Sequence, residues 1–312
     1  LVRQGRNKSG FIIDPRDKRI NPYVLLANRT IGLSREDSTK NVGLERSYDS
    51  LLKGSSGQRL MKYVAGAYLP VEGAELEPEN GKDIITTLDT YMQDVAENAL
   101  MRMLVGNNSV HGTAIVMETA TGKIKAIANL GQRLNAEKRP VKDKDGNSIY
   151  DEDLNYGIGK ATEPGSIFKL ATLMSLLDDK YVTINSTVNC EGGAKVFYGL
   201  RIKDSHLGAG DISVKQAFYT SSNVAFAKLA DQYYHTQPSK FINHLHRFRL
   251  DTITGIDIDA ASAKTTIKKP TNRSWANTTI PFMAHGYEEL VTPLHMLMLY
   301  NAVANNGKMM KP

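Results

Sequence analysis

Over 90–104, apolar positions recur every three to four residues: Met92, Val95, Ala96, Ala99, Leu100, Met103 and Leu104 form a stripe that predicts a helix with one buried face. The apolar runs 114–117 and 124–128 flank Thr119-Ala120-Thr121-Gly122-Lys123, the pattern of two strands joined by a tight turn, so 112–129 reads as a β-hairpin. Three further helical stretches are predicted at 166–177, at 214–234 with a break near its serines, and at 293–305. Before residue 82 the pattern is different. Short apolar runs at 10–13 and 23–27 alternate with charged and Gly/Ser clusters, which predicts mixed strands and short helices. The segment 132–153 carries the polar run 138–147 and reads as a mobile surface loop, for which a solvated role is favoured over binding. Mixed segments, then a hairpin followed by several helices, predict an α+β fold.

The chain has 312 residues, enough for two domains or one large fold with an insertion. With 41% hydrophobic and 23% charged residues it is an ordinary globular composition, which excludes pervasive disorder, collagen and coiled coil. The net charge of +6 is spread along the chain and is a weak argument for a polyanionic partner; a basic face toward a cell wall or an anionic membrane fits equally, and nucleic-acid binding has no other support. Cys190 is the single cysteine, so no intramolecular disulfide forms; no motif surrounds it as a nucleophile, and a structural thiol is expected. No run approaches the ~18 consecutive apolar residues of a membrane span, and the first residues lack the apolar centre of a signal peptide. The first residue is leucine, which suggests an excised segment with targeting signals outside it.

Chemistry is carried by Glu163-Pro164-Gly165-Ser166-Ile167-Phe168-Lys169. On a helix, side chains three apart share a face with Cβ atoms about 5–6 Å apart, so the amine of Lys169 can reach the hydroxyl of Ser166. A free lysine is almost wholly protonated at neutral pH; lowering its pKa by about three units requires destabilising the cation by about 4 kcal/mol, through burial or nearby positive charge. Ser-x-x-Lys is a weak signal alone, and Ser50-Leu51-Leu52-Lys53 is a second copy that reads as a surface serine before a solvated lysine. Ser166 is preferred because Pro164-Gly165 gives an abrupt helix entry that frees a hydroxyl and backbone N–H groups. Ser221-Ser222-Asn223 is the one Ser-x-Asn in the chain. Its second hydroxyl can relay a proton and its carboxamide can orient a substrate amide, although alone it would read as a helix cap. His244 and His246 invite a metal reading, but i and i+2 point to different helix faces and no acidic or cysteine partner has suitable spacing. The Met and Leu stripe at 294–299 reads as core.

In this order, Ser166-x-x-Lys169 and Ser221-x-Asn223 resemble the signature of penicillin-recognising serine enzymes. The resemblance covers most of the chain. Arg19-Ile20-Asn21-Pro22-Tyr23, Ile31-Gly32, Val42-Gly43-Leu44-Glu45-Arg46-Ser47-Tyr48-Asp49 and Leu52-Lys53-Gly54 are similar to the non-catalytic pedestal of class B penicillin-binding proteins. Thr87-Leu88-Asp89 with Gln93, Val291-Thr292-Pro293-Leu294 and Ala304-Asn305-Asn306-Gly307 are similar to their transpeptidase domain. The resemblance implies a pedestal or dimerisation-like domain over 1–82 and a transpeptidase domain of mixed helices on an antiparallel sheet over 83–312.

It also implies the chemistry. Ser166 would attack the penultimate D-Ala carbonyl of a peptidoglycan stem peptide, Lys169 would be the base, Ser221 the proton shuttle and Asn223 the holder of the substrate amide. Backbone N–H groups, one of them that of Ser166, would form the oxyanion hole, with no metal or organic cofactor. β-Lactam antibiotics would acylate Ser166. Partners would be a membrane-bound glycosyltransferase and division or elongation proteins, with septal synthesis favoured, and the site would face the periplasm or cell exterior from an anchor upstream. The third motif of the family, Lys-Thr-Gly or a variant, should follow Asn223. Lys264-Thr265-Thr266 lacks the glycine and Lys8-Ser9-Gly10 precedes the nucleophile, so the transpeptidase domain is expected to be truncated and this segment inactive or open on that side. A serine β-lactamase or β-lactam sensor shares the dyad but has no use for a pedestal, and a catalytically silent scaffold is the alternative of a different class.

Overall fold

A computed structural model describes residues 20–23, 26–32, 41–64, 67–206, 208, 210–258 and 263–312. The predicted run at 10–13, part of that at 23–27, and Lys8-Ser9-Gly10 lie outside the described residues. The first part holds short helices α1 (Asn28–Ile31), α2 (Gly43–Ser47) and α3 (Asp49–Leu52), then an antiparallel hairpin of β1 (Gln58–Val64) and β2 (Ala67–Leu76). Ser50 and Lys53, the second Ser-x-x-Lys pair, are exposed here.

Helix α4 (Thr90–Gly106) starts where the carboxylate of Asp89 accepts the N–H of Met92 at 2.9 Å, satisfying a donor the first turn leaves free. The buried face differs from the predicted stripe. Met92, Val95 and Met103 are exposed, Met103 by 63%, while Gln93 is 1% exposed among Ala96, Glu97, Leu100 and Leu104. Its amide pairs with the main chain of Ile127 on the neighbouring strand, accepting from the N–H at 2.7 Å and donating to the carbonyl at 3.2 Å. A buried amide so satisfied costs little, whereas hydropathy ranks it as surface.

The predicted hairpin forms as β3 (His111–Met117) and β4 (Ile124–Gln132), antiparallel from His111 opposite Gly131 to Met117 opposite Ile124, with β5 (Tyr150–Asp151) on the far side of β4. The excursion between β4 and β5 departs from the loop reading. It is exposed, but bridges pair Leu134 with Pro140 and Lys142 with Ser148, and Val141 N–H donates to the carbonyl of Arg133 at 2.8 Å.

A helical cluster packs beside the sheet: α5 (Tyr156–Gly159), then a 3₁₀ turn (Gly165–Phe168) leading into α6 (Lys169–Asp178), α7 (Val214–Tyr219), α8 (Asn223–Tyr234), α9 (Pro238–Arg247), α10 (Thr279–Met283) and α11 (Pro293–Ala304). Small antiparallel pairs interrupt it: β6 (Thr187–Asn189) with β9 (Asp211–Ser213), β7 (Ala194–Phe197) with β8 (Leu200–Lys203), and β10 (Thr266–Ile267) with β11 (Glu289–Leu290). Helix α6 is buried nearly all round, which makes it a central helix, and Phe168, Ala171 and Leu176 join Phe226, Tyr234, Phe241, Leu245 and Met283 in the largest core. A second core joins Ile124 and Ile127 of β4 to Leu294 and Met298 of α11. Among the described residues no helix is long and apolar enough to cross a membrane.

Candidate active site

The chain enters α6 through Gly165, whose φ of 61° lies in the left-handed region that suits glycine. This turn is held from the far end of the sequence. Gly165 N–H donates to the carbonyl of Gly286 at 2.9 Å, Thr162 bridges Val291, and Tyr300 donates to the carbonyl of Ile167 at 3.0 Å. Gly286 itself has φ 96°, and a Cβ there would overlap the carbonyl of Gly165. Gly286→Ala is therefore expected to lower stability by about 3 kcal/mol or more and to displace the Ser166 turn, measurable as a fall in denaturation midpoint.

Ser166 is exposed near the start of this turn, and Lys169 behind it is 1% exposed. The Lys169 Nζ lies 3.0 Å from Ser166 Oγ, 2.8 Å from Ser221 Oγ, 2.7 Å from the Ser221 carbonyl oxygen and 2.6 Å from Asn223 Oδ1. Of the four residues singled out by sequence, the other three thus converge on the Lys169 nitrogen. Burial lowers the Lys169 pKa to about 8, opposed by the charge of Asp204, so the amine titrates far closer to neutrality than a free lysine.

Counting donors and acceptors shows what this cluster can do. The Ser221 carbonyl and Asn223 Oδ1 accept only, and a neutral amine has two N–H donors to give them. Its lone pair then faces the two hydroxyls of Ser166 and Ser221, either of which can donate a proton to it.

The predicted break between helices falls at Ser221, held at φ 57°, outside the usual range for a residue with a side chain. Such strain persists only where surroundings over-determine it. The surroundings include residues that sequence reading missed. Asn223 Nδ2 donates to the carbonyl of Lys203 at 2.8 Å, Asp204 Oδ2 accepts from Ser222 Oγ at 2.7 Å, and Asp204 Oδ1 accepts from Val224 N–H at 2.9 Å. The second N–H of the Asn223 amide has no partner among the described residues. His285, 5% exposed, has both ring nitrogens without a partner among the described residues, and burial reinforced by nearby Lys169 lowers its pKa to about 4. No spacing rule could have found Asp204 or His285, because a hairpin and a late loop bring them in.

The remaining candidates have other roles. His244 Nε2 lies 3.0 Å from Asp179 and His246 Nδ1 2.5 Å from Asp251, so each ring faces a different carboxylate. Cys190 is buried, its Sγ 3.6 Å from Ser222 Oγ, and burial pushes its thiol pKa up, as suits a structural thiol. Thr266 of Lys264-Thr265-Thr266 lies in β10, paired with Leu290, and no Lys-Thr-Gly or Lys-Ser-Gly follows Asn223 in the sequence.

Comparison with known proteins identifies the family of the chain. A family model for the penicillin binding protein transpeptidase domain matches residues 112–312. The peptidoglycan D,D-transpeptidase FtsI of Buchnera aphidicola is 24% identical over 300 residues, covering 96% of this chain and 50% of that protein. The probable peptidoglycan D,D-transpeptidase PenA of Neisseria gonorrhoeae is 25% identical over 310 residues, covering 95% of this chain and 49% of its own length. The chain thus spans about half the length of the curated relatives it matches. Among solved structures, a putative peptidoglycan glycosyltransferase from Atopobium parvulum aligns with a TM-score of 0.75 at 25% identity, over 95% of this chain and 64% of that one. Penicillin binding protein 3 of Mycobacterium tuberculosis, complexed with aztreonam, aligns at 0.71 and 22% identity, over 94% of this chain and 59% of that one. The expected α+β fold is that of these proteins. Its relatives being class B penicillin-binding proteins, the chain belongs to the penicillin-binding-protein transpeptidase domain family.

Proposed function

We propose that this chain carries the acyl-transfer site of a peptidoglycan D,D-transpeptidase. The observation that supports it is one buried amine, with its pKa lowered to about 8, within hydrogen-bond reach of an exposed and a half-buried serine hydroxyl. Ser166 Oγ attacks the penultimate D-Ala carbonyl of a stem peptide while its proton passes to Lys169 Nζ, forming the C–O bond and a tetrahedral oxyanion. Collapse breaks the C–N bond, and the proton moves from Lys169 through Ser221 Oγ to the leaving D-Ala amine. An amine of a neighbouring strand then attacks the acyl-enzyme and regenerates Ser166. The free N–H of Asn223 holds a backbone carbonyl of the stem peptide during both steps. β-Lactams enter the same path and stop at a slowly released acyl-enzyme.

In the wider protein we assign 1–82 to a pedestal and 83–312 to a transpeptidase domain short of its third motif, anchored upstream in the inner membrane with the site in the periplasm. The partners proposed are a membrane-bound glycosyltransferase and division or elongation proteins, with septal synthesis favoured by the FtsI relatives. The alternative of a different class is a catalytically silent scaffold that binds division or elongation partners through the pedestal. The two separate on incubation with a stem pentapeptide and an acceptor amine, using the chain and a form extended past Pro312. The proposal predicts D-Ala release coupled to a cross-linked product that Ser166→Ala abolishes; absence of both products from the extended form contradicts it. Rapid hydrolysis of bound β-lactam would instead identify a lactamase.

A further inference from the structure

Asp204 stands one residue beyond β8, and its two carboxylate oxygens are engaged with the segment that carries Ser221 and Asn223. One accepts from Ser222 Oγ, which itself accepts from Ala225 N–H at 3.0 Å, and the other accepts from Val224 N–H. The preceding carbonyl, that of Lys203, holds the Asn223 amide. Of the first donors of α8, the Val224 N–H is thus satisfied by a carboxylate from another element and the Ala225 N–H by the Ser222 cap that this carboxylate holds, next to Ser221 at φ 57°.

We propose that Asp204 is a positioning residue, clamping the Ser221-Ser222-Asn223 turn against Lys169 and placing a fixed negative charge behind the amine without touching the reacting atoms. This rests on the acyl-transfer reading above. The clamp has two separable effects. Its hydrogen bonds hold the turn in the strained form in which Ser221 Oγ and Asn223 Oδ1 both reach Lys169. Its charge favours the protonated amine, which burial disfavours. Of the other groups facing Lys169, Ser166, Ser221 and Asn223 do not titrate in this range, and His285 is neutral above pH about 4.

The test is the second-order rate of acylation by benzylpenicillin between pH 5.5 and 9.5, on the form of the protein that reacts, for wild type, Asp204→Asn and Ser222→Ala. Asp204→Asn keeps an acceptor for Val224 but removes the charge, so the rising limb is expected to move to lower pH by about one unit. Ser222→Ala breaks one arm of the clamp and keeps the charge, so the rate should fall on the order of 10-fold with the limb in place. A limb unmoved in Asp204→Asn overturns the proposal, and so does Ser222→Ala reacting at the wild-type rate. If wild type fails to react in every form, the acyl-transfer reading itself fails and takes this inference with it. Thermal melting of each variant separates these outcomes from unfolding.

Discussion

Replacing Ser166 by alanine is expected to abolish the covalent adduct with benzylpenicillin, lowering the acylation rate by at least about 10⁴-fold, while the melting temperature changes by no more than a few degrees. The change removes one hydroxyl from an exposed position and leaves Lys169 its three other partners, so neither packing nor the amine's environment collapses. Ser221 Oγ does not substitute as nucleophile. It is half-buried at a strained turn, whereas Ser166 lies exposed near the start of the turn into α6, where a substrate can approach. Intact-protein mass measured with and without the antibiotic reads the result directly.

Lys169→Met should lower acylation by about 10³-fold or more and remove the dependence of rate on an ionisation near pH 8. In the wild type only the neutral amine can take the Ser166 proton, so the rate rises through pH about 8; at pH 7 roughly one molecule in ten is in that form. Methionine fills the space of the lysine stem but has no basic nitrogen. Two opposing effects on stability keep the fold. Losing the amine relieves the cost of a buried cation, and it also strips the Ser221 carbonyl and Asn223 Oδ1 of a donor, about 1–3 kcal/mol each. The linkage sign gives a second check. The folded pKa lies below the unfolded one, so between pH about 8 and about 10.4 the unfolded chain holds more protons. The wild-type penalty is fully present below that window and is relieved across it. The melting temperature of wild type relative to Lys169→Met should therefore rise from pH 8 to 10.

Local signals are legible in this sequence, and signals that depend on distant partners are not. The hairpin at 112–129 and the helices near 90, 166, 214 and 293 follow from apolar runs and the turn and cap residues between them, although β4, α6 and α11 are buried on nearly every side. The break at Ser221 was legible from its serines, although nothing there announces a left-handed φ. The face of α4 was misjudged because Gln93 is buried by pairing with Ile127, an interaction between elements 34 residues apart. Spacing alone places Lys169 beside Ser166, and the convergence of Ser221 and Asn223 on them is implied by the resemblance to penicillin-recognising serine enzymes. Their supports were invisible. Asp204 arrives on a short hairpin, Gly286 reaches Gly165 from the end of the helical cluster, and His285 looks like any loop histidine until its burial beside Lys169 is seen. Hydrophobic pattern reports which side of an element is covered. It does not say which distant polar group completes a turn.

The central claim is that the oxygen of Ser166 becomes acylated because Lys169 takes its proton. Its most direct test is to locate the adduct: benzylpenicillin is added at pH 8 to this chain and to a form extended past Pro312, and the tryptic fragments are sequenced by mass spectrometry. The account predicts the penicilloyl group within fragment 161–169, on Ser166, with the fragment unlabelled at pH values where Lys169 is fully protonated and exposure is brief. An adduct on another residue, or none on the extended, folded protein, would contradict it.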